Sequence, residues 1–278
     1  MKKLNPIALI LIFLSSFNFS LAQNKKSENS SINSVLNGFK FRSIGPAFMS
    51  GRIADIAIDQ NNKNKWYVAV GSGGLWKSDN AGTTWKALTE NQPFYSTGCV
   101  TIDPSNSSNI WLGTGENVGG RHVGIGHGIF KSNDGGNSWK QSGLKKSEHI
   151  SKIIVHPENS NIVWVAAQGP LWSSGGERGL FKSTDGGKTW KNTLEINEWT
   201  GITELVIHPN NPDILYAASW QRHRNVAAFI GGGPGTSIYK SVDGGNSWTK
   251  IDKGLPKSNL GKIGLAISPI KPEVLSLI

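Results

Sequence analysis

Cysteine is almost absent: the 278 residues contain one, Cys99. A single thiol excludes an internal disulfide, and its apolar, strand-like surroundings mark it as a small buried hydrophobe. Helix-periodic stretches are also scarce. With 34 Gly and 11 Trp, that scarcity points to an all-β chain with many tight turns. Acidic residues are outnumbered, 19 against 29 Lys and Arg, for a formal charge of +10. Yet no run of five or more Lys/Arg occurs, so the footprint of a nucleic-acid binder is missing. The scattered lysines read as a solvated surface that leans towards acidic partners such as anionic glycans.

What is present begins at the amino terminus. Basic Met1 to Lys3, an apolar run from Ile7 to Phe19 and then Ser20-Leu21-Ala22 have the three-part layout of a secretory signal peptide. The apolar run is shorter than the roughly 20 residues a membrane-spanning helix needs, and Asn18 interrupts it. Residues 1–22 are therefore expected to be removed after Ala22, leaving +8. Residues 23–38 follow as a disordered mature amino terminus. No cysteine near the cleavage point accepts lipid, so the expected product is secreted, periplasmic or held at the cell surface, with no stable membrane insertion.

Self-comparison organises the rest. Four octapeptides repeat: Ser78 to Trp85, Ser132 to Trp139, Ser183 to Trp190 and Ser241 to Trp248, their tryptophans 54, 51 and 58 residues apart. In phase with them run paired apolar segments. The first members are Ile53 to Asp59, Cys99 to Pro104, Ile153 to Pro157, Leu205 to Pro209 and Leu265 to Pro269. Their partners are Trp66 to Val70, Ile110 to Gly113, Ile162 to Ala167, Ile214 to Ser219 and Val274 onward. Each unit reads as four short antiparallel strands, the third leading into the octapeptide and the fourth starting at its Trp. Such units cannot bury both faces alone and must stack, as propeller blades do, an open solenoid being the alternative.

The octapeptide has a physical logic. An acid at its third position (Asp134, Asp185, Asp243) can accept backbone N–H groups of its own turn, and Gly136, Gly187 and Gly245 at the fifth tolerate positive φ. The tryptophans Trp85, Trp139, Trp190 and Trp248 are expected to drop back onto their own blade and seal the turn. The first copy places Asn80 where the others carry Asp, so that turn should be slightly weaker.

Ser-x-Asp-x-Gly-x-Thr/Ser-Trp is the Asp-box, and the chain resembles the Asp-box (BNR-type) β-propellers of sialidases, xyloglucanases, sortilin-type receptor domains and a photosystem assembly factor. Over residues 39–278 the segments Phe41 to Pro46, Gly51 to Ile53, Gly73 to Lys77 and Gly113 to Glu116 are similar to secreted bacterial proteins with a sortilin-like amino-terminal domain, many of them labelled glycosyl hydrolase. The repeats give a propeller of four complete blades and the start of a fifth from Gly261, expected to be a fragment of a larger ring, with a ring closed between chains as the alternative.

In that architecture the Asp-box turns share one face with the first-to-second turns, and ligands use the opposite face, where the second-to-third loops and the links between blades lie. Those loops offer Glu116, Asn117, Arg121, His122 and His127, then Gln168, Trp172, Glu177 and Arg178, then Trp220, Arg222, His223, Arg224 and a glycine run from Gly231 to Gly235. Arg121, His122, His127, Trp172, Arg178, Trp220, Arg222 and Arg224 are the candidate ligand-binding residues, suited to a polar or anionic peptide or glycan. The plainer role for any one arginine is to pair with a carboxylate or cap backbone carbonyls. The glycine run lacks the Lys-Ser/Thr ending of a phosphate loop, and no third ligand joins the histidines at metal spacing. Neither metal nor cofactor is expected.

Catalysis is harder to place. Glycoside hydrolysis normally needs two carboxylates, or in sialidases a Tyr nucleophile with an arginine triad. The xyloglucanase acid before a Gly-Gly-aromatic element has no counterpart in Gly71 to Trp76, and Phe41-Arg42 matches the sialidase arginine motif poorly. Glu116 and Glu177 remain candidate acid/base residues, with a salt bridge to Arg121 or Arg178 as the simpler fate. A binding propeller is the first expectation and a glycosidase-like hydrolase the alternative.

Overall fold

The computed structural model describes residues 51–120 and 123–278. The expected signal peptide, the mature amino terminus, Phe41 to Pro46 and the pair Arg121-His122 lie outside the described residues. Those described contain strands, turns and no helix, and none is long and apolar enough to cross a membrane as a helix.

Four sheets follow one another along the chain, each antiparallel and four-stranded in sequence order. Blade 1 comprises β1 (Ile53–Ile58), β2 (Trp66–Val70), β3 (Gly74–Ser78) and β4 (Lys86–Ala87). Blade 2 comprises β5 (Thr97–Asp103), β6 (Asn106–Thr114), β7 (Ile129–Ser132) and β8 (Lys140–Gln141). Blade 3 comprises β9 (Ile150–His156), β10 (Asn159–Ala167), β11 (Gly179–Ser183) and β12 (Lys191–Leu194). Blade 4 is β13 (Thr200–Ile207), β14 (Leu215–Gln221), β17 (Ile238–Ser241) and β18 (Thr249–Ile251), with a small hairpin, β15 (His223–Arg224) and β16 (Phe229–Ile230), inserted between its second and third strands. A further hairpin, β19 (Leu265–Ile267) with β20 (Leu275–Leu277), starts a fifth blade.

The first strands of successive blades contact one another, β1 to β5 to β9 to β13 to β19, and so line the axis of a partial propeller. Each of the first four carries a register shift near its start, between Ile53 and Asp55, Thr97 and Cys99, Ile150 and Lys152, and Ile202 and Glu204. The recurring bulge adds local twist where the strand enters the axis. Hydrophobic residues fill the gaps between blades. Tyr67, Ala69 and Leu75 of blade 1 meet Val100, Ile110 and Leu112 of blade 2, and Trp164, Ala166 and Leu180 meet Ile202, Leu205 and Ala217 one gap further on. Cys99 is buried in the gap between blades 2 and 3, and burial holds its thiol far above the usual range.

The Asp-box turns confirm their expected chemistry in detail. Asp185 accepts the Ser183 hydroxyl (2.8 Å), the Lys188 and Thr189 amides (both 2.9 Å) and the Thr189 hydroxyl (2.6 Å). Asp134 and Asp243 repeat the pattern on Ser132 and Ser138, and on Ser241 and Ser247. Those bonds, led by the one from the Ser138 hydroxyl, hold the Asp134 carboxyl down at about 2. Asn80 keeps the geometry but reverses one bond, its amide donating to Thr84 Oγ1 at 2.9 Å. The leading serine was the part of the motif whose role the sequence left open. Its hydroxyl accepts the fifth-position amide at 2.8 Å in all four turns.

The fourth position also sits at positive φ: Gly135, Gly186 and Gly244 lie at 67–73°, and Ala81 at 52°. An L-residue there costs about 1–2 kcal/mol, part of which glycine's greater unfolded-state freedom returns. Ala81→Gly is therefore expected to raise stability by about 0.5–1 kcal/mol, read as a higher urea midpoint. An unchanged or lower midpoint would show that the first turn carries no such strain.

One expectation about the tryptophans needs correcting. Trp139, Trp190 and Trp248 do not simply fold back onto their own blades; each also packs in the gap to the preceding one. Trp190 stands edge-on to Trp111 of blade 2 (6.2 Å, 82°) and donates to the Ser142 carbonyl at 2.6 Å. Trp248 reaches Thr193 Oγ1 of blade 3. Only Trp139 also bonds its own turn, through Gly136 O at 3.1 Å. The gap is the larger apolar space available to an indole, so burial decides its direction.

Candidate functional site on the loop face

Both turn families do share one face. The fourth-position amide of each Asp-box donates to the first-to-second turn of its own blade: Ala81 to Asn64, Gly135 to Ser108, Gly186 to Asn161 and Gly244 to Asp213, at 2.9–3.0 Å. The opposite face gathers the loops 115–128, 168–178 and 222–237.

There the arginines are structural staples. Arg178 is buried and donates to the carbonyls of Gly175 (2.7 Å), Gln168 (2.9 Å), Pro170 (2.6 Å) and Ser173 (2.9 Å), closing its own loop. Fully buried Arg222 donates to Val118 O of the blade 2 loop at 2.8 Å and to Gly169 O of the blade 3 loop at 3.4 Å. Arg224 donates to Gly119 O at 3.1 Å and Lys262 to Asn117 O at 2.7 Å. Three successive carbonyls of the blade 2 loop are thus each held by a different cation from blades 4 and 5. Among the described residues no carboxylate forms an ion pair with any of these four cations. Burial, then Arg178 beside it, pulls Arg222 down to about 9, which leaves it charged at neutral pH.

Aromatic rings flank this hub. Trp220 is buried, donates to Gly231 O at 2.9 Å and lies beneath Arg222 and Lys262, with ring-to-cation distances of 5.3 and 5.5 Å. Phe229 meets it edge-on and carries Arg224 at 4.6 Å. Trp172 is half exposed, at 51%. Trp199, from the link between blades 3 and 4, packs on His223 with centroids 4.2 Å apart. Backbone bonds draw these segments together: Arg222 N to Trp199 O, Arg224 N to Leu171 O and Gly175 N to Glu198 O. Trp199, Phe229 and Lys262 escaped the sequence reading. The links between blades were placed on this face, but candidates were drawn from the second-to-third loops alone, which leaves out Trp199 in a link and Lys262 at the start of the fifth blade.

The carboxylates find other partners than expected. Glu116 is buried and pairs with Arg52, 64 residues earlier, while its second oxygen accepts the Gly124 amide at 2.8 Å. Glu177 accepts the Lys146 amide at 2.7 Å and forms no ion pair with Arg178. No hydrogen bond joins the two glutamates. His127 is exposed, its backbone tied to Thr114 and Gln141. His149, also overlooked, is buried between the loops, and its Nδ1 has no hydrogen-bond partner among the described residues.

The sequence model of the Sortilin-Vps10 family, described as sortilin, neurotensin receptor 3, matches residues 127–266, half of the chain. The chain belongs to the Sortilin-Vps10 family. Among curated relatives of this Sortilin-Vps10 chain, xyloglucanase Xgh74A of Acetivibrio thermocellus is 25% identical over 229 residues, covering 70% of the chain and 25% of the relative. A Paenibacillus sp. xyloglucanase is 24% identical over 221 residues, covering 70% and 20%. The chain spans about a quarter of the length of the curated relatives it matches. In fold it is similar to an ancestral GH74 enzyme (TM-score 0.59, 20% identity, 80% of this chain and 28% of that one). It is also similar to the Niastella koreensis GH74 enzyme (TM-score 0.52, 23% identity, 70% and 28%).

Proposed function

We propose that the protein is an exported β-propeller module that holds a peptide or glycan on its loop face. One observation carries this reading: four cations without a carboxylate partner share that face with the half-exposed indole of Trp172 and the Trp199–His223 pair. Arg178, Arg222, Arg224 and Lys262 shape the surface by fixing loops, and Glu148 and Glu198 offset part of the charge at Arg178 and Arg222 from beyond ion-pair distance, so the face leans positive. The rings supply flat apolar area for a sugar ring or an apolar side chain. Arg121 and His122 follow the clamped carbonyls in sequence and remain candidate contacts.

Binding to glycan and peptide arrays tests the reading. Trp172→Ala is expected to weaken the best ligand at least about 10-fold, the range set by losing one aromatic anchor, with the fold intact by circular dichroism. Equal binding by wild type and variant would remove Trp172 from the site. A second reading, a glycosidase-like activity of a longer protein, is favoured by the xyloglucanase relatives. Turnover of the bound glycans, abolished by Glu116→Gln or Glu177→Gln, would replace the binding reading with that one.

A further inference from the structure

The second-to-third loop of blade 4 builds a hairpin of its own, β15 with β16, and the tip of that hairpin is apolar. Val226 is 95% exposed, Phe229 38% and Ile230 49%, and Ala227 and Ala228 between them are exposed as well. Single exposed apolar side chains are ordinary, but five in succession facing water mark a contact surface. The tip is also prepared to leave water. Asn225, its one polar side chain, accepts the amides of Ala227 at 2.9 Å and Ala228 at 2.7 Å through Oδ1, while its own amide donates to Ala228 O at 3.0 Å. The turn thus satisfies these amides internally, as backbone entering an apolar phase must.

The base of the hairpin is fastened. Arg224 N donates to Leu171 O at 3.0 Å in the blade 3 loop, Arg224 Nη2 to Gly119 O in the blade 2 loop, and Trp220 Nε1 to Gly231 O where the hairpin ends. Charge then decides which apolar phase fits. No Asp or Glu occurs between Glu116 and Asp134 or between Asp213 and Asp243, the stretches that hold the blade 2 and blade 4 loops. Cations stand on the rings at the hairpin's foot, Arg222 and Lys262 on Trp220 and Arg224 on Phe229. Ile125, 56% exposed, adds an apolar side chain to the acid-free blade 2 loop. An apolar pocket on a protein would match the tip but would give no use to the cations. A tip of aliphatic side chains above rings and cations matches the layers of an anionic bilayer, with hydrocarbon, interface and phosphate in turn.

We propose that the β15–β16 hairpin docks the protein reversibly on an anionic lipid surface. Val226, Ala227 and Ala228 enter the boundary between headgroups and acyl chains, and Phe229 stays at headgroup level with Arg224 and Lys262. Contact of this kind is peripheral, since one short hairpin buries far less apolar surface than a spanning element.

Cosedimentation with vesicles tests the proposal on the exported chain, from Gln23 on, which lacks the apolar run Ile7 to Phe19 that would enter lipid by itself. Vesicles of phosphatidylglycerol and phosphatidylcholine should retain the protein at low salt and release it as salt is raised. Val226→Asp with Ala228→Asp should lower the partition coefficient about 10-fold or more, the effect of losing one buried aliphatic side chain, while the melting midpoint stays put. Failure of the mixed vesicles to retain the wild type, equal partition of the double variant, or equal retention by phosphatidylcholine alone would each overturn the proposal. So would self-association without lipid that the double variant loses, because the occupant would then be a second copy of the chain.

Discussion

Gly187→Ala is expected to destabilise the protein by about 3 kcal/mol or more, while the same change at Gly82 costs about 1–2 kcal/mol. The two residues hold the same Asp-box position at nearly the same φ, +86° and +88°. The backbone strain of an L-residue is therefore common to both. Their surroundings differ. A methyl at Gly187 would drive into the Trp111 ring and the Ser142 hydroxyl, at distances no real Cβ shows, whereas at Gly82 it would meet Trp66 and Trp85 at an ordinary 3.4 Å. Trp111 cannot give way, being fully buried between Lys131 and Trp190. Urea midpoints of the two variants isolate the joint between blades, since their difference removes the shared strain. Equal losses would mean that the turn of blade 3 is held no more tightly than the turn of blade 1.

That contrast explains what could be read from the sequence. Each blade announces itself along the chain: Ile53, Trp66 and Ser78 recur in phase as Thr97, Ile110 and Ser132, and period-2 burial follows from the strand itself. The Asp-box was equally legible, because Asp185 bonds only within four residues of itself. Contacts between blades leave weaker traces. The Trp190 indole settles against Trp111, which is 79 positions earlier, and Lys131 looks like an ordinary strand residue until the Gly186 carbonyl of the next blade is placed on it.

The loop face was legible as a collection of residues and not as a set of partners. Arg178, Arg222 and Arg224 all bond backbone carbonyls, an acceptor every residue carries and no sequence distinguishes. Glu116 illustrates the same point for charge. Its nearest arginine in sequence was the natural partner, yet the fold brings Arg52 from the entrance of blade 1 instead. The ring pair Trp199–His223 depends on how a link and a loop from two blades meet. Local chemistry fixes the turns, and only the stacking of blades decides what the long loops enclose.

Lowering the pH from 7.5 to 4.5 is expected to cost the wild type about 2–3 kcal/mol that a His149→Gln variant does not lose. His149 is buried where the blade 2 and blade 3 loops meet. Burial, then the charge of Arg222, holds its imidazole down at about 3, against an ordinary value of 6.5. The unfolded chain therefore binds a proton through the whole interval that the folded protein refuses. The neutral form's contribution is complete above about pH 6.5 and is lost as pH falls towards 3. Glu148 works in the opposite sense, since burial raises its carboxyl despite Arg178 and Arg222, but it is present in both proteins and cancels in their difference. The Asp-box carboxyls titrate below this window, with Asp134 at about 2. Urea midpoints of wild type and variant at the two pH values measure the effect, and parallel pH slopes would exclude a buried neutral His149. Because the same residue neighbours Arg222, which clamps the blade 2 loop at Val118, protonation strikes the hub itself. Loosening should reach the loop face at an acidity that leaves the Asp-box turns of the opposite face intact.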